Sequence, residues 1–111
     1  MMLFRPTHHG PQDYQSWLMH QEAVRMIQSD PSLADRALAT LARWDKTMGV
    51  RSKPLRDRWV RIIQEKDWAL AVENSELGNQ LRQASPMACL LPTEVRFAII
   101  AQVRQLKDMH C

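Results

Sequence analysis

The chain has 111 residues, of which 45% are hydrophobic and 24% charged, a balance near the globular average that excludes a disordered or collagen-like polymer and suits a single core. Its 15 basic and 12 acidic residues give a net charge of +3, which tolerates an acidic partner but is far from a polycation. Only 3 glycines occur, and β-branched and aromatic residues are thinly spread among Ala, Leu, Gln, Glu, Arg and Met, the residues that lose least on entering a helix.

Residues 1–11 include Pro6, Gly10 and Pro11 and show no periodicity, so they read as a flexible N-terminal arm ahead of a helical domain over 12–111. Leu3 and Phe4 are followed at once by Arg5 and Pro6, which leaves no apolar stretch of a signal peptide. No segment approaches the ~20 apolar residues of a membrane span. Cys89 and Cys111 lie in unlike settings, so a disulfide framework is not expected and a reducing, cytoplasmic location is.

From Gln12 onward Tyr14, Trp17, Leu18, Val24 and Ile27 recur at helical spacing, and His20 reads as a surface or boundary residue of this first helix. Asp30 and Pro31 start a second helix, the carboxylate accepting from orphan N–H groups and the proline having no donor to waste. Its stripe is Leu33, Ala37, Leu38, Leu41, Trp44 and Met48, and Gly49 is placed to end it as a left-handed cap. Ser52 and Pro54 open a third helix that buries Leu55, Trp59, Ile62 and Ile63 and runs to about Lys66.

Asp67 can cap a further segment carrying Ala69, Leu70, Val72, Leu77 and Leu81, which Asn74, Ser75 and Gly78 weaken in its middle, leaving open one kinked helix or two short ones. Ser85 and Pro86 stop it. Met87 to Leu91 is expected as a buried turn or short helix, with Cys89 as a small core residue. After Pro92 a last helix buries Val95, Ala98, Ile99, Val103 and Leu106. No strand-like alternation and no repeat competes, so the expected fold is an all-α, single-domain, compact bundle of about five helices.

The sequence displays no catalytic constellation. Adjacent His8 and His9, with His110 and Cys111 at the other end, do not have chelate spacing, so no metal is expected. The glycines at 10, 49 and 78 make no phosphate loop, and no cofactor is expected. Glu73 and Glu76 are the only local carboxylate pair, and an enzyme would need them to converge with Arg82 and a histidine in one pocket. The 4 tryptophans read first as core anchors, with Trp68 the best placed to act instead as an interface anchor. Arg51, Lys53, Arg56, Arg58 and Arg61 gather at the start of the third helix, where they can line phosphates or form a solvated or protein-facing surface.

Leu41-Ala42-Arg43-Trp44, then Leu81-Arg82-Gln83 with Ser85-Pro86, then Glu94-Val95-Arg96 resemble the pattern of a group of short bacterial helical proteins, over roughly residues 20 to 106. In that group an LARW helix is followed by an LRQ-S-P segment and a final helix. The reading frame commonly lies beside a nucleotidyltransferase-like gene, in an arrangement that looks like a toxin-antitoxin module. The resemblance implies a non-catalytic antitoxin-type subunit that docks on a toxin-like or nucleotidyltransferase-like protein, and it makes Arg82, Gln83, Ser85 and Pro86 the positions to examine beside Trp68. The alternative is a small DNA-binding regulator, acting as a homodimer, that uses Arg51, Lys53, Arg56, Arg58 and Arg61. No membrane association is expected.

Overall fold

The computed structural model describes residues 11–109, with side chains over 12–105; the expected N-terminal arm, His8, His9, His110 and Cys111 lie outside the described residues. The fold is all-α, and no strand occurs among the described residues. Six α-helices follow in chain order: α1 (Pro11–Ser29), α2 (Ser32–Thr47), α3 (Lys53–Glu65), α4 (Trp68–Ala71), α5 (Glu76–Arg82) and α6 (Thr93–Met109). Single 3-10 turns at Val50–Ser52 and Met87–Leu90 link α2 to α3 and α5 to α6. No helix among the described residues is long and apolar enough to cross a membrane.

The local chemistry explains most boundaries. Asp30 accepts from the Ser32 backbone at 3.2 Å, and Pro31 is already helical at φ −60°, so the Asp-Pro start works as the sequence suggests. Asp67 accepts from Leu70 N–H at 3.4 Å to start α4, and Ser75 accepts from Gly78 N–H at 3.0 Å to start α5. The segment after Asp67 is therefore two short helices, because Ser75 caps better than it propagates.

Gly49 does not act as the left-handed cap. Its φ is −71°, and the position that does turn left-handed is Lys66, at φ 57° and ψ 40°. Lys66 N–H reaches Ile63 O at 3.3 Å and Asp67 N–H reaches Ile62 O at 2.9 Å, which closes the last turn of α3 without glycine.

Helix α1 is the hub. It packs on α2, α4, α5, α6 and the Met87–Leu90 turn, while α2 also meets α3. The core joins Ala23, Val24 and Ile27 of α1 with Leu33, Ala37 and Leu41 of α2 and Trp59, Ile62 and Ile63 of α3; Ala71, Leu81, Met87, Leu90 and Leu91 close it. Cys89 is exposed, contrary to expectation. A 3-10 turn repeats every three residues, so it buries Met87 and Leu90 on one side and turns Cys89 away.

Helices of four and seven residues are too short to hold themselves. Their carbonyls are taken by side chains from elsewhere in the fold. Trp17 Nε1–H donates to Val72 O at 2.9 Å, Arg82 Nη1–H to Ala71 O at 3.2 Å, and Trp59 Nε1–H to Leu81 O at 2.6 Å. Two of the four tryptophans thus serve as remote caps as well as apolar mass.

Candidate functional site

Three polar side chains that the sequence suggests for the surface are buried, and each has a specific reason. Arg82 is 5% exposed. Its Nη2–H donates to Asn79 Oδ1 at 2.8 Å, besides the bond to Ala71 O, and its Nε–H has no partner. Burial pushes its pKa down, and the charges of Asp13 and Glu73 pull it part of the way back. Arg82 is therefore a tie between α4 and α5, and it does not present a contact to a partner. Pro86 is fully buried beside it in sequence and is equally withdrawn from the surface.

Arg56 is 2% exposed, because it lies three residues before Trp59 on the inner face of α3. Its Nε–H donates to Asp45 Oδ1 at 2.9 Å and its Nη2–H to Gly49 O at 3.2 Å, while Nη1–H donates to Ser52 Oγ. One guanidinium thus holds the end of α2, the 3-10 turn and the start of α3 together. Arg56 is removed from the predicted phosphate-binding cluster. Lys53 pairs with Asp57 at 3.1 Å and Asp45 at 3.8 Å, and Arg61 with Glu65 at 3.6 Å; Arg51 and Arg58 are exposed. The five basic residues thus do not form one continuous cationic face.

His20 is 1% exposed. The Ser16 carbonyl, 2.6 Å from Nδ1, can only accept, so Nδ1 carries the proton. Nε2 then accepts from the Ser85 hydroxyl at 2.7 Å, and Ser85 Oγ in turn accepts from Met87 N–H at 3.0 Å. Burial lowers the His20 pKa to about 4; the Ser16 carbonyl opposes that shift and the Arg82 charge adds to it. A serine on a histidine has the outline of a nucleophile and base, but this imidazole is a weak base that gains a charge only at high desolvation cost. The pair works as a lock between α1 and the segment after α5. Its signal was present in the sequence, since His20 falls on the Trp17, Val24 and Ile27 stripe of α1.

The other predicted residues separate into two places. Gln83 and Ser85 meet Trp44, Met48, Ser52, Ala84 and Arg56 around a cavity of about 220 Å³. Trp68 instead lines a cavity of about 240 Å³ with Ile27, Gln28, Pro31, Ala34, Ile63 and Lys66, half-buried against the core. Glu73 and Glu76 are exposed while Arg82 and His20 are internal, and none of the four lines either cavity. No group of three or more His, Cys, Asp or Glu side chains suited to a metal ion occurs among the described residues.

The first cavity is lined on its apolar side by Trp44, Met48 and Ala84. Met48 is 49% exposed and Val50, two residues on, is 84% exposed. By its spacing Met48 belongs to the buried stripe of α2. It escapes burial because α2 ends at Thr47 and the backbone at Met48 is extended, at φ −100° and ψ 155°. The arrangement is a concave, tryptophan-lined notch with a rigid floor set by the Arg56 ties and the Ser85–His20 lock. A small-molecule site generally offers ~300–1,000 Å³, so a notch of about 220 Å³ suits one bulky side chain of a protein partner better.

No known protein family, curated protein or solved structure matches this chain.

Proposed function

We propose that the protein is a non-catalytic binding module that docks on a partner protein through the notch between the end of α2 and the start of α3. The observation that carries this reading is the exposed apolar side chain of Met48 on a preformed cavity that Trp44 also lines, with exposed Val50 two residues further along the chain. Aromatic-lined pockets that seat one anchoring side chain are where interface energy concentrates. Gln83, on the same rim, supplies an exposed polar contact. The finer reading is that the module is the antitoxin-type subunit of a bacterial toxin-antitoxin pair, acting in the cytoplasm; it rests on the LARW and LRQ-S-P resemblance, whose Trp44, Gln83 and Ser85 all line this one notch.

The test is co-expression with the product of the adjacent gene, scored for a co-purifying complex and for rescue of growth. The native chain is expected to do both, and a Met48→Asp/Val50→Asp double variant neither, with its helical circular dichroism unchanged. A native chain that neither rescues nor co-purifies would overturn the antitoxin reading. A double variant that still binds as tightly as the native chain would overturn the assignment of the notch.

A further inference from the structure

Among the described elements α6 packs on α1 alone, with Val103 buried and Val95, Ile99 and Ile100 half-buried along the contact side. Ala98, expected in the core, is exposed at the edge where α6 borders α1, and the opposite side is exposed at Glu94, Phe97, Ala101, Arg104 and Gln105. These positions follow the three-and-four spacing of one helix face, so they form a single stripe. Phe97, at 66% exposed, is its largest apolar group. An isolated exposed aromatic is ordinary, but this stripe has an order of its own. A bulky residue and a small one, Phe97 and Ala101, and an acidic and a basic one, Glu94 and Arg104, are both arranged symmetrically about position 99.

We infer that this face pairs antiparallel with the same face of a second copy of the chain, about a two-fold axis beside position 99. Antiparallel pairing sets Glu94 against the partner's Arg104 and seats Phe97 over the partner's Ala101, and the reciprocal contacts follow by symmetry. The short side chain of Ala101 lets the two helices approach closely beside the axis. A parallel pairing in register would set Phe97 on the partner's Phe97 and carboxylate on carboxylate, so the charges select the antiparallel arrangement. Three turns of helix give an area at the lower end of the ~1,000 Å² that a specific interface needs, so the dimer is reversible and in the micromolar range. This surface is separate from the notch at Met48 and Val50, and the inference does not depend on the function proposed for that notch.

Sedimentation equilibrium of the full chain from low to high micromolar concentration tests it. The native chain is expected to pass from monomer to dimer, and Phe97→Glu to weaken the association at least ~tenfold, equivalent to about 1.4 kcal/mol. Glu94→Arg and Arg104→Glu each weaken it by opposing like charges, and the double exchange E94R/R104E recovers native association. All of these positions are exposed, so circular dichroism measured at monomer concentrations stays at native values, while thermal midpoints at dimer-forming concentrations fall with the loss of association. A native chain that remains monomeric throughout overturns the inference. So does a dimer indifferent to Phe97→Glu, or a double exchange that dimerises no better than the single variants.

Discussion

The Ser85–His20–Ser16 chain makes stability depend on pH in a window that few other groups reach. In the unfolded chain His20 takes up a proton near its ordinary pKa of 6.5, whereas in the fold burial holds it to about 4. A histidine with a lowered folded pKa stabilises the fold fully above pH 6.5. That contribution is lost as the unfolded form protonates between pH 6.5 and 4, and it changes no further below that. Linkage over this interval gives a loss of about 2 kcal/mol between pH 7 and pH 5, and about 3 kcal/mol once pH 4 is reached.

The assay is urea denaturation of the native chain and of His20→Gln at a series of pH values from 8 down to 4. Gln cannot titrate, and every other histidine and carboxylate is shared, so the difference between the two curves isolates His20. At pH 7 the variant is expected to be less stable by about 1–3 kcal/mol, because one amide replaces two hydrogen bonds of a fitted ring. By pH 5 the gap closes or reverses. Parallel curves would refute the reasoning, as would an imidazole that titrates near pH 6.5 in the folded protein by NMR.

Two further outcomes follow from the core and the backbone. Trp59→Ala, at a site with 0% exposure, is expected to cost about 3–5 kcal/mol, and Trp59→Phe about 1–2 kcal/mol, because it keeps most of the ring mass but removes the indole donor to Leu81 O, which retains Ala84 N–H at 3.1 Å; urea midpoints read both, and a loss below 1 kcal/mol for the alanine variant would contradict the packing. Lys66→Gly is expected to raise stability by about 0.5–1 kcal/mol by relieving a left-handed lysine, whereas Gly78→Ala is expected to lower it by about 1–3 kcal/mol, since the new Cβ would lie 2.1 Å from Glu73 O. Thermal midpoints moving in the same direction for both would show that one of the two backbone assignments is wrong.

The helical periodicity was legible because apolar side chains declare the buried face directly, and the Asp30-Pro31 and Asp67 starts because capping is a local transaction between neighbours. Arg56 and His20 were legible in position and, like Arg82, misleading in identity. Arg56 and His20 fall on apolar stripes, three residues before Trp59 and three after Trp17, while Arg82 follows Leu81 off its stripe, and a charged or titratable residue is ordinarily exposed. What brings them inside is their partners, and those are not visible in the sequence. Arg56 needs Asp45 and the Gly49 carbonyl, Arg82 the carbonyl that ends α4, and His20 a hydroxyl from the far side of the fold. Gly78 carried the opposite ambiguity: it looked like a helix weakener and is required by the close approach of the Glu73 carbonyl.

The same distribution bears on function. Arg82 and Arg56, which the sequence offers as contacts, instead hold short helices and a sharp α2–α3 junction, so recognition falls mainly to apolar groups that the core leaves outside. Among the described residues the large ones are Met48 and Val50 at the α2–α3 junction, Leu77 on α5, and Phe97 with its flanking charges on α6; the first and last carry the two proposed surfaces. Because α6 touches only α1 among the described elements and contributes nothing to the notch lining, pairing through α6 leaves the notch of each copy open. A dimer then presents two notches, and two linked sites bind a partner that is itself dimeric more tightly than either does alone. The two proposals together therefore require a complex of two copies with two partner molecules, and Phe97→Glu should reduce it to one of each without abolishing binding. Loss of all binding in that variant would mean instead that the α6 face, and not the notch, is where the partner docks.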